Sequence, residues 1–276
     1  MTTMKKITSF ILGTAILMSA SSCALFELDN YDAPEETLRG RVIDQKTGAP
    51  VLTDQGSEGI RVRLTELSWE GNVTPQDFSC MPDGTFQNTK LFEGEYRIEV
   101  DGAFIPLVRE TTDGTPLADG SQVHKIKGVT EVEFKVQPFL NVEFTELPQV
   151  SNGKITAKVK VTRGVSKEEF KELIEPMGSY KDEYTNITDI QLFVSYSSSV
   201  GYRARDEVWS NEIKYEGSAF DIIAENGDEV TIMSKGTIPS GRKVYIRAAA
   251  RINYDTPVGS GTRRWNYSEP LEVWIP

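Results

Sequence analysis

Hydrophobic and polar residues alternate along most of the chain from residue 37 onward. The segment 59–65 reads Gly-Ile-Arg-Val-Arg-Leu-Thr, and the segments 94–100, 129–136, 154–161 and 244–252 keep the same two-residue period. A period of two sends successive side chains to opposite faces of a β-strand. Turn-forming residues separate these segments at roughly the 8 to 12 residues typical of β-sandwiches, so the pattern predicts an all-β fold.

The predicted strands form two groups, at residues 37–138 and 139–276. The junction between them, Gln137-Pro138-Phe139, is short, and no low-complexity linker separates the groups. The second group includes a predicted strand at 219–223. We therefore predict two tandem β-sandwich domains, 37–138 and 139–276, held at a fixed angle to each other.

One segment of the second group has a helical pattern. Ser166 and Glu169 match a capping box, Phe170 and Ile174 fall on one helical face, and Pro176 ends the pattern. This predicts one short amphipathic helix inserted between strands. The alternative interpretation is an acidic loop.

The N-terminus has the layout of a secretory signal. Lys5 and Lys6 precede an apolar run at 7–18 and small residues at 19–22. The apolar run of about 12 residues is shorter than the roughly 20 that a membrane-spanning helix needs. Ala20-Ser21-Ser22-Cys23 resembles the lipobox of bacterial lipoproteins, which implies removal of the signal peptide 1–22 and lipidation of Cys23. An ordinary signal followed by an incidental cysteine is the alternative.

Acidic residues follow the cysteine in the predicted lipidated tether, residues 23–36. Glu27, Asp29 and Asp32 resemble the signal that sends lipoproteins of Bacteroidetes to the outer face of the outer membrane. We therefore expect a lipid-anchored protein on the outer membrane that faces the cell exterior. The alternative is a solvated acidic tether without targeting information.

The composition of the chain argues against several classes of function. The chain has 30 Lys+Arg against 41 Asp+Glu, a net charge of −11, which argues against nucleic acid as a partner. Its single histidine, His124, and its two cysteines exclude most His-dependent catalysis and zinc sites built from His and Cys alone. No catalytic, metal or cofactor motif is present, so we expect a non-enzyme without cofactor. With Cys23 acylated, Cys80 has no disulfide partner, and we expect it to be half-buried in a strand or loop.

Five motifs in the first half keep a fixed order. They are Leu38-x-Gly40-x-Val42-x-Asp44, Thr47-Gly48-x-Pro50-Val51, Gly59-Ile60-x-Val62-x-Leu64, Asp83-Gly84-x-Phe86 and Leu91-x-x-Gly94-x-Tyr96-x-Ile98. This order resembles the carboxypeptidase-regulatory, transthyretin-like β-sandwich. The resemblance implies a spacer or interaction domain and not a catalyst.

The C-terminal segment carries a second resemblance. Lys243-Val-Tyr245-x-Arg247-x-Ala249, followed by Tyr267-Ser268-Glu269-Pro270-Leu271, is similar to the last two strands of fibronectin type III domains. From Cys23 to Pro276 the chain resembles the Bacteroidetes lipoproteins classed as domain of unknown function 3823. Members are often encoded beside SusC/SusD-like uptake pairs, which implies an accessory role in capturing glycans at the cell surface.

A glycan needs aromatic rings for its apolar faces and polar side chains for its hydroxyl groups. Loops at one end of the second sandwich are the expected place for such side chains. The alternative is that aromatic residues pack in the hydrophobic core, above all Trp209 and Trp274. Trp69 fits either interpretation. The predicted glycan-binding residues are Trp265, Tyr267, Tyr254, Trp209, Tyr202 and Arg264. The rival hypothesis is a structural or protein-interaction lipoprotein that docks on an envelope partner without binding sugar.

Overall fold

A computed structural model describes residues 33–69, 71–215, 226–256 and 263–276. The predicted signal peptide, Cys23, most of the predicted tether and the predicted strand at 219–223 lie outside these residues. The described ranges contain eighteen β-strands and one α-helix. The prediction of two tandem β-sandwiches with one short helix in the second is confirmed.

The first sandwich is built from nine strands. Two sheets face each other, with strand orders β4-β1-β9 and β3-β2-β5-β8, and β6 and β7 form a separate hairpin. The strands are β1 (Glu36–Asp44), β2 (Arg61–Glu66), β3 (Gln76–Ser79), β4 (Thr85–Leu91), β5 (Gly94–Asp101), β6 (Val108–Glu110), β7 (Pro116–Asp119), β8 (Gln122–Ile126) and β9 (Val129–Val136).

The alternating pattern decides which side chains fill the first core. Val62 and Leu64 of β2 are buried, as the two-residue period predicts, and Ile98 of β5 packs in the same core. Strand β1 lies in the middle of its sheet and pairs with β9 in parallel, with Thr37 opposite Val129. The first and last strands of this sandwich are therefore neighbours.

The second sandwich also has nine strands in two sheets. One sheet has the order β10-β12-β11 with β15 on β12, and the other has the order β14-β13-β16-β17 with β18 on β16. The strands are β10 (Leu140–Phe144), β11 (Gln149–Ser151), β12 (Lys154–Arg163), β13 (Ile187–Ser195), β14 (Asn211–Lys214), β15 (Glu229–Met233), β16 (Arg242–Ile252), β17 (Asn266–Tyr267) and β18 (Leu271–Ile275).

The predicted helix is present as α1 (Lys167–Ile174). Ser166 caps it, because its side-chain oxygen accepts a hydrogen bond from the backbone N–H of Glu169 at 3.1 Å. Phe170 is buried under the helix, against Phe139 and Tyr254. Short 3₁₀ turns lie at Gly56–Glu58, Glu175–Met177 and Asp182–Thr185.

Both sandwiches belong to one compact unit, Glu35–Pro276. Ala103 and Ile105, from the loop after β5, are part of the core of the second sandwich. A third buried cluster joins Phe193, Ala249, Trp265 and Tyr267 of the second sandwich, and Leu52 of the first packs against it. The domain limits 37–138 and 139–276 stay a prediction, since the first half of the chain supplies part of the second core.

Cys80 follows β3 and is more deeply buried than expected, at 2% exposure. Burial is the main cause that raises the pKa of its thiol well above the ordinary value, and Asp83 raises it further. A raised pKa leaves less thiolate at every pH, and the thiolate is the nucleophile.

We therefore expect Cys80 of the folded protein, residues 24–276, to react with a maleimide far more slowly than an exposed thiol. The matched control is Ser79→Cys in a Cys80→Ala background, because Ser79 is exposed on β3. The measurement is the mass of labelled protein against time, before and after unfolding in guanidinium. Equal labelling rates for the two folded proteins would contradict the burial of Cys80.

A polar groove as the candidate functional site

Most of the predicted glycan-binding side chains do not reach the surface. The expectation that they stand exposed on loops is wrong for five of the six, which are buried: Trp265, Arg264, Tyr267, Tyr254 and Trp209. Tyr202 is partly exposed. The contact between the two sandwiches covers the segment 264–268, whereas Tyr254 and Trp209 are buried in the core of the second sandwich.

Arg247 of β16 is at the centre of this contact, with 1% exposure. Its guanidinium donates to the carbonyl oxygens of Thr53 at 2.8 Å and Pro82 at 3.2 Å, both in the first sandwich. It also donates to the Ser268 carbonyl at 2.7 Å and lies over the Tyr267 ring, 4.5 Å from its centroid. Burial lowers the pKa of Arg247, while Tyr267 raises it. Arg247 therefore binds carbonyl oxygens of both sandwiches, and of these the Pro82 carbonyl also accepts from the backbone N–H of Thr53 at 3.0 Å.

The segment that follows β16 makes a second set of contacts. Arg264 donates through Nη1 to the carbonyl oxygen of Asp101 at 2.6 Å and to its carboxylate at 2.8 Å. Asn266 donates to the Ala103 carbonyl at 2.9 Å. Burial is the main cause that raises the pKa of Asp101, and Arg264 opposes this. The arginine predicted to bind sugar hydroxyls is instead half of a buried ion pair.

A sequence signal for this buried contact exists. Ordinary alternation would leave one face of β13 and β16 polar, yet Leu192-Phe193-Val194 and Ala248-Ala249-Ala250 are continuous apolar runs. Such runs are typical of strands covered on both faces. Phe193 and Ala249 point to the outer face of the sheet, where Trp265 packs over them.

Beside the buried cluster, the same outer sheet face opens into a groove of about 400 Å³, which we call the polar groove. The sheet supplies its floor and the loop between β13 and β14 supplies its wall. The polar groove is lined by Gln191, Tyr202, Arg205, Glu207, Ser210, Asn211, Glu212, Lys235 and Arg251.

Stacked cations and rings form one side of the polar groove. Arg251 lies over the Trp265 ring, 4.2 Å from its centroid, and pairs with Asp189 at 2.9 Å. The ring of Tyr202 stacks at 22° to that of Trp265, with centroids 6.5 Å apart. Arg205 covers Tyr202 at 4.1 Å. Trp265 thus supports the polar groove from beneath, and Tyr202 and the two guanidinium groups line it.

Hydrogen-bonding groups occupy the other side. Gln191 donates through Nε2 to Glu212 at 2.8 Å, and Glu207 pairs with Arg205 at 2.9 Å. Amide, carboxylate and guanidinium groups next to an aromatic ring are suited to a polar ligand with several hydroxyl groups. Among the described residues, no group of three or more His, Cys, Asp or Glu is placed to hold a metal ion.

Two exposed tryptophans lie outside the polar groove. Trp274, considered above as a core residue, is 61% exposed on β18, and Trp69 is 54% exposed after β2. Trp209, in contrast, is buried and packs edge-on against Tyr196 at 5.1 Å. In the described ranges, no helix is long and apolar enough to span a membrane.

Comparison with known proteins links this fold to one family. The N-terminal domain model of a family described as "Protein of unknown function (DUF3823)" matches residues 36–137. A DUF3823 family protein from Bacteroides uniformis is 69% identical, with a TM-score of 0.85, over 88% of this chain and 100% of its own. No curated protein matches the chain.

Two more distant structures share the fold. One, from Bacteroides uniformis, is named as a candidate carbohydrate binding protein; it is 20% identical, with a TM-score of 0.60. The other is a DUF3823 family protein from Parabacteroides merdae, 20% identical with a TM-score of 0.59. Each comparison covers 88% of this chain and 100% of the other.

Proposed function

The chain belongs to the DUF3823 family, and from this premise we propose that it is a lipid-anchored protein of the outer membrane surface that binds a glycan in the polar groove. In this proposal Cys23 carries the lipid, the acidic residues behind it direct the protein to the cell exterior, and a SusC/SusD-like uptake pair is its partner. The lipid would do the anchoring, because a chain with a net charge of −11 gains little from anionic headgroups.

The observation that carries the glycan part is the arrangement around Tyr202. Its ring, which is partly exposed, contacts the Trp265 ring and the Arg205 guanidinium at the edge of a groove with amide and carboxylate groups. Sugars present apolar C–H faces to aromatic rings and hydroxyl groups to such polar side chains. The relative from Bacteroides uniformis named as a candidate carbohydrate binding protein shares this two-sandwich fold and supports the proposal.

We further propose that the polar groove binds without cleaving. Glycoside hydrolysis needs one protonated carboxylic acid and one free carboxylate on either side of the scissile bond. Glu207 is paired with Arg205 at 2.9 Å, and Glu212 accepts from Gln191 at 2.8 Å and lies 3.5 Å from Lys214. Both carboxylates are thus engaged by donors of this chain, and no pair of free carboxyl groups faces across the polar groove among its lining residues.

The test is a panel of polysaccharides in affinity electrophoresis and calorimetry with residues 24–276. We expect one glycan to bind, and we expect Gln191→Ala and Arg205→Ala each to weaken that binding by about tenfold, equivalent to about 1.4 kcal/mol. Gln191 and Arg205 line the polar groove at opposite sides and are not part of the hydrophobic core.

Trp274→Ala is the matched control, because it removes an exposed aromatic ring outside the polar groove and should leave binding unchanged. A loss of binding in Trp274→Ala alone would move the site to β18. No binding to any polysaccharide would favour the rival hypothesis, a lipoprotein that docks on an envelope protein without touching sugar.

A further inference from the structure

One end of the first sandwich carries a group of exposed apolar side chains. They lie just after β2, in the turn between β4 and β5, and at the start of β9. We call this group the apolar rim; its members are Leu67, Trp69, Phe92 and Val129. Soluble surfaces carry single exposed apolar residues without consequence, but four at one end of a domain require an explanation.

Strand pairing places these segments together. The backbone N–H of Leu67 donates to the Glu95 carbonyl at 2.7 Å, which joins the end of β2 to the start of β5. Phe92 lies in the turn before β5, and its carbonyl accepts from the Tyr96 hydroxyl at 3.2 Å. Val129 begins β9, directly after β8, which ends opposite the start of β5.

The chain enters the sandwich at the same end. Strand β1 starts at Glu36, which lies opposite Leu91, and Thr37 lies opposite Val129. Twelve residues, 24–35, separate Cys23 from this point. Twelve residues span at most about 43 Å even when fully extended, and β1 alone is about 30 Å long. The apolar rim therefore lies at the end of the sandwich where the chain from Cys23 enters.

We propose that the apolar rim inserts into the headgroup region of the membrane that holds the lipid on Cys23. This inference rests on the lipidation in the proposed function. Tryptophan and phenylalanine are favoured at the boundary between lipid and water. The contact does not have to supply the anchor; it only has to orient a body that the lipid already holds at the surface.

The lysines next to the apolar rim are paired with a carboxylate. Lys125 and Lys127 lie 3.3 and 3.1 Å from Glu93, in the same turn region as Phe92. Insertion therefore draws on apolar area and not on attraction to anionic lipid. Salt weakens an electrostatic contact with a membrane, and anionic lipid strengthens one. We expect insertion of the apolar rim to depend little on either.

The opposite end of the first sandwich is the one that contacts the second. Thr53, Pro82 and Asp101 accept hydrogen bonds there from Arg247 and Arg264. With the apolar rim in the membrane, the first sandwich becomes a spacer that holds the second sandwich and its polar groove away from the lipid.

The experiment uses the full chain, produced in a host that attaches the lipid, purified in detergent and reconstituted into vesicles with brominated acyl chains. Bromine quenches tryptophan only at close range. We expect quenching in the native protein and in Trp274→Phe, loss of this quenching in Trp69→Phe, and reduced quenching in Phe92→Ser, which removes an exposed side chain. The expected quenching is the same at low and high salt.

Flotation of the same vesicles distinguishes lipidation of Cys23 from insertion of the apolar rim. Protein that floats and shows no quenching, or equal quenching in Trp69→Phe and the native chain, would overturn insertion of the apolar rim and leave the lipoprotein intact. Failure to float, in the native chain as in Cys23→Ala, would overturn the lipidation and the insertion with it.

Discussion

Replacing Arg247 by methionine is expected to lower the free energy of unfolding by about 3 to 5 kcal/mol. Methionine keeps most of the volume of the side chain but removes every donor. The carbonyl oxygens of Thr53 and Ser268 then stay buried without that partner, and each such acceptor costs about 1 to 3 kcal/mol. The Pro82 carbonyl keeps its hydrogen bond from the backbone N–H of Thr53 at 3.0 Å. Chemical denaturation monitored by circular dichroism measures the difference.

Lys243→Met is the matched control. Lys243 lies on the same strand, but its ammonium is exposed and pairs with Glu272 at 3.1 Å. Exposed ion pairs contribute about 0 to 1 kcal/mol, so this variant should unfold close to the native protein. Similar losses in both variants would show that Arg247 does not hold the two sandwiches together.

The second large effect is expected for Trp265→Ala, at about 3 to 5 kcal/mol. Trp265 is 2% exposed, and its ring touches Phe193, Tyr202 and Arg251. Deleting a buried indole removes its transfer free energy and leaves a cavity that its neighbours fill only in part. Denaturant unfolding gives the magnitude, and near-ultraviolet circular dichroism reports the loss of the packed aromatic cluster.

Trp274→Ala provides the comparison, since its ring is 61% exposed and its removal should change stability by about 0.5 kcal/mol or less. A Trp265→Ala protein as stable as Trp274→Ala would show that the cluster is solvated. This difference also bears on binding: glycan affinity lost in Trp265→Ala would come from the collapse of the support beneath Tyr202, not from a lost stacking contact.

The regular part of the fold follows from the alternation of side chains. Strand β9 has the predicted bounds, and α1 begins after the predicted cap at Ser166. Each of these elements has one apolar face that must be buried, and that requirement leaves a period in the sequence. Short strands such as β3, β6 and β7 were not predicted, because they carry little apolar surface.

The role of the segment 263–267 was harder to predict than the strands, because its composition fits two kinds of contact. The segment Arg263-Arg264-Trp265-Asn266-Tyr267 has the composition of a ligand-binding loop, and the same residue types are enriched where two protein surfaces meet. Arginine and tryptophan serve both uses, so composition does not distinguish them. Only the position in space of Asp54, which binds Tyr267, and of Asp101, which binds Arg264, shows which use applies; they lie 213 and 163 residues away in the chain.

The parallel pairing of β1 with β9 determines how the first sandwich responds to a pulling force. It runs parallel to β9 over eight paired positions, from Thr37–Val129 to Asp44–Val136. The chain enters at the start of β1 and leaves toward the second sandwich at the end of β9. If, as proposed, a lipid holds the chain at Cys23 and a glycan binds to the second sandwich, a pull between the two runs along both strands and shears their hydrogen bonds together. Bonds loaded in shear must break as a set, whereas bonds at a peeling edge break singly. This geometry makes the first sandwich resist unfolding when it is pulled between the start of β1 and the end of β9.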